Sequence, residues 1–175
     1  AKGRCLPYGQ GITFFPLGEI LKNTFAIKES DSADEVQVKL LSGVRGILTK
    51  GAATGATADA AVEEEVKQVA HRLGYAIGIS FPDSALPQIN PANIKDELFW
   101  AWRHIFRRWA EMTPLIIVFE DVHWADNVIL DLIRHLASSL DDAPILLLCL
   151  SRPELLERRP QWGEEFGGKT LNIQP

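Results

Sequence analysis

Two short, unbroken apolar runs, at residues 115–119 (Leu-Ile-Ile-Val-Phe) and 145–150 (Ile-Leu-Leu-Leu-Cys-Leu), are joined by a single amphipathic stretch. A strand with one wet face alternates apolar and polar residues. An unbroken run instead marks a strand covered on both faces, as in parallel sheets. Between the runs, Asp126 is a good helix N-cap, and Val128, Ile129, Leu132, Ile133 and Leu136 recur at helical spacing. Strand, helix and strand in this order predict a parallel α/β sheet. Residues 171–173 are expected to begin a further strand.

The preceding part of the chain reads as mostly helical. Asn90-Pro91 signals a helix start, and Ile94, Leu98, Phe99, Trp102, Ile105, Phe106 and Trp109 make a broad apolar stripe that ends before Pro114. Arg103, Arg107 and Arg108 fall on its other side and read as a solvated helix face. Ser32, with Asp34 and Glu35 behind it, opens an earlier helix whose apolar face is Val36, Val38, Leu40, Leu41, Val44 and Leu48. Pro16 opens another, carrying Leu17, Ile20, Leu21 and Phe25. Residues 4–8 read as the end of a strand punctuated by Pro7, Gly9 and Gly11. The small-residue stretch 50–61 reads as a loop or flexible join. A short helix is expected from Glu63 through Val66, Val69, Ala70 and Leu73, and residues 76–92 read as loop.

Composition removes several classes. In 175 residues, 46% hydrophobic and 23% charged, no run of about 18 apolar residues occurs, so a membrane span is not expected. Residues 1–8 lack the basic-then-apolar pattern of a signal peptide. With 18 Lys+Arg against 23 Asp+Glu the net charge is -5, a poor balance for gripping a nucleic-acid backbone. Cys5 and Cys149 are too few for a disulfide framework, and a reducing cytoplasmic setting is the expectation.

In parallel α/β sheets ligands bind outside the carboxyl ends of the strands. The first apolar run ends there in Glu120 and Asp121, and the second ends in Ser151-Arg152-Pro153. Adjacent carboxylates after a greasy strand suit magnesium, which takes one or two carboxylates and completes its shell with waters and phosphate oxygens. One acid of such a pair can orient or deprotonate an attacking water. Arg152 has the planar fork that fits a phosphate oxygen.

These segments resemble a known family. Pro114-Leu-Ile-Ile-Val-Phe-Glu-Asp-Val-His-Trp-Ala-Asp126 and Leu146-Leu-Leu-Cys-Leu-Ser-Arg-Pro-Glu154 are similar to the Walker B and sensor-1 segments of AAA-like, STAND-class P-loop ATPase modules. Such modules occur in bacterial LuxR-type transcriptional regulators and multidomain adenylate/guanylate cyclases. Cys5-Leu-Pro-Tyr-Gly-Gln-Gly-Ile-Thr-Phe-Phe-Pro-Leu-Gly-Glu-Ile20 and Leu98-Phe-Trp-Ala-Trp-Arg103 resemble the segments after their second strand and before Walker B. The resemblance implies an ASCE-type P-loop NTPase sheet flanked by helices. It divides the chain into a segment after the second strand (1–28), a helical insertion and linker (29–90), and a part running from Walker B to sensor 1 and a following strand (91–175).

The same resemblance implies ATP and Mg2+ as ligands, with Glu120 and Asp121 as the catalytic and metal-binding acids and Arg152 near the nucleotide phosphates. Family members usually carry aspartate first, so the glutamate leaves open which acid touches the metal. The implied activity is ATP binding and hydrolysis in a regulatory module of a multidomain signalling or transcription-regulatory protein. The alternative is a catalytically inactive nucleotide-binding or interaction scaffold. Implied partners are ATP, other domains of the parent chain and further copies of the module, with no direct nucleic-acid or membrane contact.

A phosphate loop, Gly-x-x-x-x-Gly-Lys-[Ser/Thr], has a literal match in Gly163-Glu-Glu-Phe-Gly-Gly-Lys-Thr170. It follows no buried strand, carries two acids, and stands after Walker B where the family has its loop before it. The expectation is therefore a fragment whose first strand and phosphate loop lie upstream, leaving an exposed apolar edge beside the sensor-1 strand. Two rivals are a metal hydrolase built on Glu120, Asp121, His123 and Asp126, and a serine hydrolase at Ser80, where Gly78-Ile-Ser80 is not followed by the x-Gly of a nucleophile elbow. Packing is the expected role of Trp124, and helix capping that of Asp126.

Overall fold

The computed structural model describes residues 1–7, 13–49 and 56–173, and three parallel strands form its sheet in the order β1 (Lys2–Arg4), β2 (Leu115–Glu120), β3 (Ile145–Cys149). In register, Gly3 stands beside Phe119, which stands beside Cys149. Six helices accompany the sheet among the described residues: α1 (Phe15–Thr24), α2 (Ala33–Leu48), α3 (Ala56–Ala76), α4 (Pro91–Met112), α5 (Asn127–Ser139) and α6 (Glu154–Arg158).

Helix starts follow local chemistry. Ser32 and Glu35 form a capping box: Ser32 Oγ accepts the Glu35 N–H at 3.3 Å, and Glu35 Oε2 accepts the Ser32 N–H at 2.7 Å. Asn90 Oδ1 accepts from the Ala92 N–H at 3.0 Å ahead of α4, where Pro91 is the first helical residue. Asp126 Oδ1 caps α5 through the Ile129 N–H at 2.9 Å.

Alternation along the strands gives the sheet two unlike faces. Leu115, Ile117 and Phe119 point into one core that joins all five long helices, with Trp102 and Phe106 of α4 fully buried beside them. Gly3 faces the same side, and a Cβ there would stand 1.9 Å from the Pro16 carbonyl oxygen. Only glycine lets β1 lie this close to the first turn of α1. The opposite face carries Lys2 and Arg4, then Ile116, Val118 and Glu120, then Leu146 and Leu148. Ile116, Leu146, Leu148 and the following Leu150 are exposed. The doubly covered strands expected from the two apolar runs are thus covered on one face only among the described residues, and β3 is an edge strand there.

Other expectations are corrected. The first strand is Lys2–Arg4, not residues 4–8, because its pairing partner on β2 ends at Glu120; Tyr8, Gly9 and Gly11 lie outside the described residues. Helix α3 begins at Ala56 rather than Glu63, since its alanines favour helix strongly; residues 50–55 of the expected join lie outside the described residues. Val38 is exposed, because the buried stripe of α2 runs through Val36, Leu40, Val44 and Ile47. Residues 171–173 form no strand, and Leu171 and Ile173 are exposed.

Two of the three arginines on the basic side of α4 are tied to other elements rather than left to solvent. Arg107 grips Asp142 (2.6 Å) and the Ser139 carbonyl (3.1 Å). Arg108 donates to Glu111 (2.7 Å) and to the Leu48 carbonyl at the end of α2 (2.9 Å). These arginines tie helices together. Cys5 is buried and Cys149 half-buried, both as free thiols pushed up to about 12 by burial. Among the described residues no helix is long and apolar enough to cross a membrane.

Candidate functional site at the carboxyl ends of the strands

The parallel register brings the ends of all three strands to one edge of the sheet. The Cys5 N–H donates to the Glu120 carbonyl at 2.9 Å, the Leu150 N–H to the Phe119 carbonyl at 2.8 Å, and the Val122 N–H to the Leu150 carbonyl at 3.0 Å. Glu120, Asp121 and the loop carrying Arg152 therefore share one end of the sheet, where parallel α/β folds bind ligands.

Glu120 lies directly across from Arg4 in the β1–β2 register. Its Oε1 is 2.9 Å from Lys2 Nζ, and its Oε2 accepts from Arg4 Nη2 at 3.1 Å and Nε at 3.3 Å. Hydrogen bonding by Lys2, then by Arg4, holds its carboxyl below the usual carboxylate range. Sequence reasoning missed Lys2 and Arg4. The signal was their spacing of two about Gly3, which puts both on one face of a strand beside the acids.

Asp121 is the point where the chain leaves β2. Its φ of 56° and ψ of 38° are left-handed, a conformation that aspartate tolerates better than most side chains but that still stores strain. The turn lets the Asp121 carbonyl accept the Trp124 N–H at 2.8 Å and opens a 3-10 turn over Val122–Trp124. The Asp121 carboxylate is about half exposed, and its cationic neighbour is Arg4 Nε at 3.7 Å.

His123 is buried inside this turn. Its Nδ1 accepts the Arg152 N–H at 3.4 Å and its carbonyl accepts from Arg158 of α6 at 2.6 Å, while Nε2 is buried with no hydrogen-bond partner among the described residues. Trp124 is 48% exposed, so it is not the packing residue expected; its ring lies 4.9 Å from the His123 ring. The Arg152 residue is exposed, and its side chain makes no ion pair among the described residues. Asp126 caps α5, as expected.

Two adjacent carboxylates, one of them half exposed, form a donor set that fits magnesium in the manner of a phosphate-bound ion, with waters and phosphates filling the remaining positions. They do not fit a metal held by protein alone. No group of three or more His, Cys, Asp or Glu side chains stands together for such a site among the described residues. The four-residue hydrolase set is not assembled, since Asp126 is used as a cap and His123 Nδ1 by a backbone N–H. Ser80 sits in the loop after α3, where its carbonyl accepts from Gln37 at 2.6 Å.

The match to a phosphate loop at 163–170 has the wrong shape. Residues 164–166 are a 3-10 turn closed by the Gly168 N–H on the Gly163 carbonyl at 2.8 Å, and no helix follows Thr170 among the described residues. A phosphate cradle needs its loop to open into a helix N-terminus.

No curated protein and no solved structure shows a significant match to the chain. The family model for the AAA ATPase domain matches residues 1–148, from β1 through the strand-end acids of β2 to all but the last residue of β3, and the chain belongs to that family.

Proposed function

We propose that this chain is part of an ATP-binding and ATP-hydrolysing regulatory module whose nucleotide phosphates meet Glu120, Asp121 and Arg152. The observation that carries the reading is the placement of two acids and an arginine at the carboxyl ends of adjacent parallel strands. Glu120 and Asp121 between them hold magnesium and orient the attacking water. Bound there, magnesium supplies positive charge to the phosphate oxygens. Arg152, on the exposed loop after β3, reaches the terminal phosphate with its guanidinium.

The described residues supply no phosphate cradle. Its place in this reading is a strand and loop packed beside β3 and on the open apolar face of Ile116, Leu146 and Leu148. The similarity of the residue 114–126 block to STAND-class modules supports a role within a multidomain signalling or transcription-regulatory protein in the cytoplasm. Nucleotide occupancy there changes packing against neighbouring domains or further copies.

Turnover of ATP by the product of the whole coding region tests this. Asp121→Asn should lower the rate at least about a hundredfold, the low end for losing a positioned base. Equal rates in both proteins overturn the reading. A second reading, a nucleotide-binding scaffold without turnover, is favoured by one observation: both Glu120 oxygens are already occupied by Lys2 and Arg4. ATP binding without measurable turnover by the unsubstituted protein would select it.

A further inference from the structure

The cations on Glu120 belong to the architecture of β1. Gly3 is pinned under the Pro16 carbonyl, so alternation turns both of its neighbours to the open face. The backbone of Arg4 is fixed as well, with its N–H donating to Glu19 Oε2 at 2.6 Å. From that fixed strand Lys2 covers one Glu120 oxygen and Arg4 covers the other through two nitrogens. Both cationic side chains remain more than half exposed, so they can leave without unfolding anything.

Asp121 stands differently. The left-handed turn takes its carboxylate off the line of the strand, and Arg4 approaches it only to 3.7 Å. The four groups Lys2, Arg4, Glu120 and Asp121 sum to zero charge. A divalent cation arriving alone meets two positive charges at Glu120 and a half-exposed carboxylate at Asp121. Both cations lie nearer to Glu120 than to Asp121, so repulsion of an arriving cation is greater at Glu120.

We propose that Lys2 and Arg4 are built-in counterions of the strand-end acids, which keep Glu120 closed to a divalent cation and leave Asp121 as the carboxylate through which the cation enters. They are positioning residues that act through Glu120. This divides the labour of the two acids in the proposed ATPase site and rests on that reading. It also gives the site a regulation of its own: phosphate that draws Lys2 or Arg4 away opens Glu120 to the metal.

The test is binding of Mn2+ alone to the chain, followed by the loss of free Mn2+ signal in electron paramagnetic resonance. The unsubstituted chain should bind weakly and lose that binding in Asp121→Asn. Replacing both cations (Lys2→Met with Arg4→Met) should tighten binding about tenfold or more, a gain that disappears when Glu120→Gln is added. Arg4→Lys, which keeps the charge, should retain the weak binding.

Circular dichroism confirms folding of each variant, and Arg4→Met alone replaces the double variant if that one fails to fold. Mn2+ binding that ignores Lys2 and Arg4, or that depends on Glu120 and not on Asp121, overturns the counterion proposal and leaves the ATPase reading standing. No Mn2+ binding by any variant overturns the counterion proposal alone, because the ATPase reading has phosphates completing the metal's shell and is tested by ATP turnover.

Discussion

The His123 ring joins the ends of two strands: its Nδ1 accepts the backbone N–H of Arg152 at 3.4 Å, and the same residue's carbonyl accepts from Arg158 at 2.6 Å. The turn that carries Asp121 and the loop that carries Arg152 are thereby linked through one buried side chain. An acceptor at Nδ1 requires the tautomer protonated at Nε2, the buried nitrogen without a hydrogen-bond partner among the described residues.

His123→Ala should therefore loosen the Arg152 loop. Its amide is expected to exchange with solvent faster, and the chain to lose about 1–3 kcal/mol from the unmet donor and the vacated space. His123→Asn offers an acceptor near the Nδ1 position and should restore most of the Arg152 protection, while His123→Gln reaches toward Nε2 and should not. Hydrogen exchange read residue by residue decides this; an Arg152 amide equally protected in all variants would remove the link.

Asp121 should respond to substitution through its backbone as well as its charge. At φ 56° asparagine and glycine are tolerated, whereas a β-branched residue is strained. Asp121→Asn and Asp121→Gly are expected to stay within about 0.5 kcal/mol of the parent in urea unfolding. Asp121→Val should cost about 1–3 kcal/mol. Equal midpoints for Asn and Val would mean that the turn relaxes.

One buried and one half-buried imidazole should make the chain acid-sensitive well above the carboxylate range. His71, stacked on Phe81 at 4.3 Å, is held below its ordinary value of 6.5 by burial, against a raising pull from Asp83. Burial also lowers His135, which lies against Phe99 at 5.5 Å, and Arg103 adds to the effect. The unfolded chain then takes up protons first as pH falls, so the contribution is complete above 6.5 and is lost progressively below it. The urea midpoint should be flat between pH 7 and 8 and fall between pH 6.5 and 5, before the carboxylates titrate. In the double variant of His71→Gln with His135→Gln that fall should shrink; an unchanged slope would assign it to other groups.

What the sequence made legible was local chemistry. Ser32, Asn90-Pro91 and Asp126 announce helix starts because a cap is a bond between a side chain and a backbone N–H two or three residues away. The strand-end position of Glu120 and Asp121 was legible for a similar reason, since the run from Leu115 to Phe119 leads straight into them. The start of α3 was not, because an alanine-rich stretch carries helix propensity without a cap. Strand β1 slipped because Lys2-Gly3-Arg4 has no apolar residue to mark it. The Arg4–Glu120 pair spans 116 positions, and no local pattern reports it. Nor does an apolar run say what covers each of its faces, which is why Ile116 and Leu148 were expected to be buried.

Neighbouring residues on β2 and β3 should for that reason behave in opposite ways. Ile117 is fully buried, whereas Ile116, Leu146 and Leu148 are 54%, 56% and 42% exposed on the other face. Ile117→Thr should cost about 2–4 kcal/mol, from lost burial and an unpaired hydroxyl in the core. Leu146→Thr with Leu148→Thr keeps strand propensity and removes surface that water already wets, so it should change stability by less than about 1 kcal/mol. Contiguous exposed apolar surface promotes association, and the same double variant should lower both self-association in sedimentation and binding of the dye ANS. In the product of the whole coding region the outcome separates two arrangements. If further elements cover this face, the double variant should destabilise that protein by several kcal/mol; a loss no larger than in residues 1–175 would mean that the face stays open.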